Sequence, residues 1–136
     1  MNDVRPFLMF PGCAKEALEF YEANIDGFEV LHLESFERGE EREGQVKAAT
    51  ISVQGNTFHV TDSPMNLSFD FSPSFSFFIS ASSVMEQHEL FNRLKRNGAI
   101  ILPIDEYGFS RSYGWCVDQF GISWQVGLVE RDELVQ

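Results

Sequence analysis

The sequence predicts an α+β fold in which two βαβββ modules, residues 4–62 and 74–128 of one 136-residue domain, pair into a curved mixed sheet. Three observations carry this expectation. The order strand, helix, strands occurs twice, residues recur between the halves at nearly fixed offsets, and a stretch rich in proline and serine (residues 63–74) separates them.

Pro6 to Phe10 is a short apolar run stopped by Pro11-Gly12, which fits a buried strand and a turn. Beyond it the period lengthens. Ala14, Ala17, Leu18, Tyr21 and Ile25 lay an apolar stripe along a helix whose other face carries Lys15, Glu16, Glu19 and Glu22. Gly27 supplies the left-handed residue favoured beyond a helix end. Phe28 to Phe36 reads as a strand with imperfect alternation. Val46 to Gln54 alternates cleanly, and Gln54-Gly55-Asn56 turns it into a second strand over Thr57 to Asp62.

In the second half, Phe75, Phe77 and Ile79 alternate with serines, and Ser83 with Glu86 forms a capping box. Val84, His88, Phe91 and Leu94 follow at helical spacing, ending near Lys95, Arg96 and Gly98. Ala99 to Leu102 reads as a short strand, Pro103 to Phe109 as a loop, and Ser110 to Asp118 and Ile122 to Leu128 as the closing strands.

Phe20 and Gly27 recur as Phe91 and Gly98, and Gly55-Asn56-Thr57-Phe58-His59-Val60 recurs as Gly121-Ile122-Ser123-Trp124-Gln125-Val126. The second offset is five residues shorter, which places extra length in the acidic stretch Glu34 to Glu43. In the last strand of each half, alternation assigns Phe58, Val60, Trp124 and Val126 to the helix side. His59 and Gln125 take the other side, toward a concavity that paired modules are expected to share.

Composition narrows the partners. Twenty-one acidic and ten basic residues give a net charge of −11, which repels phosphate backbones and anionic headgroups, so nucleic acid and membrane are not expected. Two cysteines, Cys13 and Cys116, make no disulfide framework, and neither a basic leader nor a long apolar run is present; a reduced, cytoplasmic protein is the expectation. Fourteen phenylalanines leave many rings to pack or to meet a ligand.

The opening Pro6-Phe7-Leu8-Met9-Phe10, the helix Ala14 to Tyr21, and the ending Tyr113-Gly114-Trp115 through Asp118-Gln119-Phe120-Gly121-Ile122-Ser123-Trp124-Gln125-Val126 resemble the PhnB-like proteins. That family also carries a 3-demethylubiquinone methyltransferase-like label and lies within the glyoxalase/bleomycin resistance/dioxygenase, or vicinal oxygen chelate, superfamily. The resemblance spans residues 4 to 128. It implies paired modules, usually a homodimer, and in active relatives a divalent metal held by His, Gln or Glu at four strand positions. Those positions here are Pro6, His59, Ser76 and Gln125, of which one is a good ligand, so neither a metal nor another cofactor is expected. The methyltransferase label finds no support in a glycine-rich nucleotide loop, because no G-x-G occurs.

The candidate ligand-binding residues are His59, Ser76, Gln125, Arg111, Tyr113 and Trp115. Arg111, Tyr113 and Trp115 share one side of a regular strand and suit an anionic or aromatic ligand. His59, an imidazole, is a candidate general base, against the plainer reading of a strand histidine satisfied by a neighbour. Cys13 near a helix start has the position of an activated thiol, against the plainer reading of a small packed residue. Asp105, Glu106 and Tyr107 fall in a loop positioned to cover the cavity, and His88 belongs to the helix surface or its packing seam. The function expected is binding of a small molecule by a glyoxalase-like homodimer without the usual metal site. The alternative is an enzyme of lyase, isomerase or oxygenase type acting on a small metabolite.

Overall fold

Each half of the chain closes its own four-stranded sheet, with the first strand paired parallel to the last. The computed structural model describes residues 2–63, 70–108 and 110–129; the side chains of Ser110 and Arg111 fall outside that description. The chain divides into two compact units, residues 1–70 and 71–136.

The first unit runs β1 (Phe7–Phe10), α1 (Ala14–Asn24), β2 (Phe28–Ser35), β3 (Val46–Val53) and β4 (Asn56–Asp62). Its sheet order is β1-β4-β3-β2. The expected helix stripe is the buried one: Ala14, Ala17, Leu18, Tyr21 and Ile25 are all sequestered, and removing a side chain such as Leu18 from water contributes about 1.5–3 kcal/mol. The β3–β4 hairpin turns through Gln54 and Gly55, both at positive φ (49° and 84°), which matches the right-handed strand twist. The uneven alternation of β2 has a physical cause. Its register slips between Val30 and His32, leaving Leu31 as an extra, exposed residue on an edge strand.

The N-terminus of α1 is capped from a distance. Cys13, at the N-cap, gives no side-chain cap. Instead the fully buried carboxylate of Asp62, at the end of β4, accepts the amides of Gly12 (3.0 Å) and Ala14 (2.9 Å) on Oδ1, and that of Val46 (2.8 Å) on Oδ2. A negative group at the positive end of a helix is also favoured by the backbone dipoles.

The second unit repeats the plan with β5 (Ser76–Ala81), α2 (Val84–Leu94), β6 (Ala99–Tyr107), β7 (Ser110–Val117) and β8 (Ser123–Leu128), in sheet order β5-β8-β7-β6. The Ser83 hydroxyl accepts the amide of Glu86 at 3.1 Å, as the capping box predicts. Four expectations need correction. The buried stripe of α2 is Gln87, Leu90, Phe91 and Leu94, whereas Val84 is exposed; His88 is exposed on the helix surface, as expected. It matches Ala14, Ala17, Leu18 and Tyr21 of α1 at an offset of 73, so Leu18, not Phe20, is the packing counterpart of Phe91. Gln87 belongs inside because Nε2 donates to the Val126 carbonyl at 3.2 Å while Oε1 accepts from Ser112.

β6 continues through Pro103 to Tyr107, where a loop was expected, so Asp105, Glu106 and Tyr107 are strand residues. A proline is tolerated because β6 is an edge strand with register breaks on either side of Leu102 and Asp105. Finally, Asn97 (φ 60°), not Gly98, takes the left-handed position after α2. Gly98 is required for another reason: a Cβ there would collide with the Val117 carbonyl.

The connection between β2 and β3 holds ten residues against two between β6 and β7, so the extra length lies at the acidic stretch as expected. Residues 36–45 are organised around Arg42, which donates to Gln45 and to the Ser63 carbonyl and sits 4.7 Å over the Phe36 ring.

Candidate functional site

In both units the last strand separates two faces. Phe58 and Val60 in β4, and Trp124 and Val126 in β8, are buried on the helix side, while His59 and Gln125 are half-buried on the other. The open faces differ in chemistry.

On the first sheet, one row across the strands reads Phe7, His59, Thr50, His32. The Phe7 ring lies 5.9 Å from that of His59, tilted by 52°. Thr57 and Ser52 form the adjoining pair on the same face. This is a hydroxyl and imidazole surface.

On the second sheet, the corresponding row reads Phe78, Gln125, Trp115, Leu102. Tyr113 lies beside it, opposite Gly127. The ending motif explains this arrangement residue by residue. Tyr113 and Trp115 point to the open face, and Gly114 between them points to the helix, where a Cβ would come within 2.7 Å of Ile104 and 2.9 Å of Phe91. Asp118 then ties the β7–β8 turn: Oδ1 accepts the amides of Phe120 (2.8 Å) and Ile122 (3.1 Å), and Oδ2 accepts Trp124 Nε1 at 2.8 Å. With the turn fixed, the register that sets Trp115 against Gln125 is fixed too.

The polar groups of this face form two chains. Trp115 Nε1 donates to the Ser123 hydroxyl at 2.7 Å. Ser123 and Ser76 hydroxyls lie 2.6 Å apart, and Ser76 reaches the Pro73 carbonyl at 3.4 Å. With the one hydrogen of Ser76 given to the Pro73 carbonyl, the Ser123 hydroxyl donates to Ser76 while it accepts from the indole. In the second chain the Tyr113 hydroxyl donates to Gln125 Oε1 at 2.9 Å. Burial raises the Tyr113 pKa, and neighbouring Tyr107 adds to the rise, so the phenol stays protonated and donating. Gln125 Nε2 has no partner among the described residues, which leaves two amide hydrogens available.

Of the expected site residues, Ser76, Gln125, Tyr113 and Trp115 therefore share one face of the second unit, and His59 lies on the open face of the first. The Arg111 side chain is outside the described residues. Sequence reasoning passed over Phe78, which occupies the open face beside Gln125 and is 57% exposed. Its signal was the adjacent pair Phe77-Phe78, which in a strand must send one ring to each face. Phe77 goes inward and stacks on Trp124 at 4.8 Å. Phe78 lies over Gly127, where a Cβ would sit 2.9 Å from its Cζ, and faces Tyr113 at 6.2 Å and 21°.

The donor set does not fit a divalent metal held as the resemblance implies. Pro6 has no side-chain donor and contributes only its carbonyl, bonded to the His59 amide at 2.9 Å. The Ser76 hydroxyl is engaged with Ser123, and Gln125 Oε1 with Tyr113. The register also sets Phe7 against His59 and Phe78 against Gln125, so the first-strand neighbour is a phenylalanine in both units. Among the described residues no group of three His, Cys, Asp or Glu side chains is placed to hold a metal ion.

Cys13 is half-buried and Cys116 fully buried. Burial pushes the Cys116 thiol up to about 12, with Asp118 adding to the rise and Lys95 opposing it, which makes it inert at neutral pH. No helix among the described residues is long and apolar enough to cross a membrane.

Comparison with known proteins agrees with this architecture. The family model described as 3-demethylubiquinone-9 3-methyltransferase matches residues 2–127. Protein YjdN of Escherichia coli (strain K12) is 24% identical over 143 residues, covering 93% of this chain and 95% of its own. The structure of a PhnB protein from Bacillus cereus is 34% identical, with a TM-score of 0.87 over 94% of this chain and 100% of that one. A glyoxylase/bleomycin resistance protein/dioxygenase domain from Frankia sp. EAN1pec shares the fold at 16% identity, with a TM-score of 0.61 over 96% of this chain and 98% of its own. The chain belongs to the 3-demethylubiquinone-9 3-methyltransferase-like, PhnB-like family, and its fold is that of a glyoxylase/bleomycin resistance protein/dioxygenase domain.

Proposed function

We propose that the protein binds a small organic molecule on the open face of its second sheet, and does so without the divalent metal of its superfamily. The observation that carries this reading is Gln125, whose amide is oriented by Tyr113 so that both Nε2 hydrogens are left for a ligand. Tyr113, Trp115 and Phe78 surround it with ring surface, and Ser76 acts indirectly, by holding the hydroxyl that fixes the indole of Trp115. On the first unit, taken by itself, His59 next to Phe7 is proposed as a separate ligand contact. An amide donor among aromatic rings binds and orients; it supplies neither a nucleophile nor a proton acceptor.

The test combines elemental analysis of tag-free protein with melting curves across a metabolite library, since any ligand that binds only the folded state raises its apparent stability. The expected outcome is substoichiometric metal together with a shift that Gln125→Ala abolishes. A stoichiometric divalent ion that survives dialysis, or a ligand shift indifferent to Gln125→Ala, would overturn the proposal.

A further inference from the structure

We infer that the ligand of this face is a flat, uncharged conjugated ring bearing a carbonyl oxygen, its ring against Phe78 and Trp115 and its carbonyl on Nε2 of Gln125. The inference deepens the reading above and rests on it.

Shape comes first. Phe78 and Tyr113 are nearly parallel (21°), and Tyr107 meets Tyr113 edge-on at 5.9 Å and 89°. The Phe78 ring reaches across β8 because Gly127 offers no side chain beneath it, yet more than half of it stays exposed. Exposed ring surface of this kind gains most from a second flat π-system, which stacks offset or edge-on.

Polarity comes next. Among Ser76, Tyr113, Trp115, Ser123 and Gln125, the hydrogens of four are directed at protein acceptors. The Nε2 hydrogens of Gln125 remain, and they require an acceptor on the ligand. Charge decides the kind of acceptor. Asp105 pairs with Tyr113 across β6 and β7, and the chain carries a net −11, so a carboxylate or phosphate on the ligand meets repulsion where a neutral carbonyl does not. Ser80, opposite Gly127, is exposed at the rim, on the β5 edge.

The test uses four probes on the full chain, followed by the 1H–15N signals of the Gln125 side-chain amide and the Trp115 indole. They are coumarin (flat, neutral, with a carbonyl), naphthalene (flat, no acceptor), δ-valerolactone (carbonyl, no conjugated ring) and 2-naphthoate (flat, anionic). Coumarin is expected to shift both signals and to bind most tightly. Gln125→Glu keeps the shape and replaces the donor with an acceptor; it should weaken coumarin by about tenfold and leave naphthalene unchanged. Gly127→Ala leaves Gln125 intact but displaces Phe78, and should weaken both. Equal binding of coumarin by the Glu variant, or tighter binding of 2-naphthoate or δ-valerolactone, overturns the ligand class while the binding face stands. If none of the four moves either signal, the binding face itself falls.

Discussion

The phenol of Tyr113 donates to Oε1 of Gln125 across 2.9 Å, joining adjacent strands of the second sheet and fixing which end of the amide faces outward. Tyr113→Phe removes that choice. The amide then turns freely and offers oxygen or nitrogen alike, so affinity for an acceptor ligand falls although every ring remains. The stability change is small, about 0.5–1.5 kcal/mol for one hydrogen bond, and urea unfolding monitored by circular dichroism measures it.

Stability should decline on the alkaline side. The folded state raises the Cys116 thiol from its ordinary value of 9.0 to about 12, so unfolded chains release that proton first as pH rises. The contribution is complete below about pH 9 and is lost toward pH 12, with a slope of at most about 1.4 kcal/mol per pH unit. Tyr113, also raised, adds to the loss above its ordinary 10.0. Urea midpoints between about pH 8 and pH 10.5 should fall in the native sequence and fall less in Cys116→Ala. In native protein at neutral pH, a thiol reagent should modify half-buried Cys13 and reach Cys116 only on unfolding.

Two glycines near the site should respond oppositely to the same methyl group. Gly114→Ala forces a Cβ against Phe91 and Ile104 on the helix side, an overpacking expected to cost about 1–3 kcal/mol. Gly127→Ala meets the exposed ring of Phe78, which swings into solvent, so the melting temperature stays close to that of the native protein. Equal destabilisation by both would show that Phe78 is held more firmly than its exposure implies.

Asp62→Asn should be among the most damaging single-atom changes. An amide nitrogen replaces one oxygen of a group that accepts three buried backbone hydrogens, setting donor against donor at Val46 or at the start of α1. A loss of about 3 kcal/mol is expected, read from urea unfolding.

Where periodicity is local, the sequence was a sufficient guide. The stripe of α1 and the β3–β4 hairpin follow from spacing alone, and the burial of Phe58, Val60, Trp124 and Val126 follows from alternation. Errors arose where a distant group decides. Nothing local marks Gln87 for burial; Val126 and Ser112 satisfy both ends of its amide. Pro103 reads as a strand breaker until β6 is known to lie at an edge. Nothing near Ser76 in the sequence shows that its hydroxyl meets Ser123, 47 residues away. Asp62, the cap of α1, lies 48 residues from the amide it serves, and no local pattern announces it.

That last separation also orders events during synthesis. As the chain leaves the ribosome, α1 emerges with its leading amides unanswered, and β1 has no neighbour with which to pair. Both wait for the same segment, because β4 supplies the parallel partner for β1 through Phe7–His59 to Phe10–Asp62 and ends in the carboxylate that caps α1. In the first unit, the pairing of β1 and the cap of α1 thus both depend on β4.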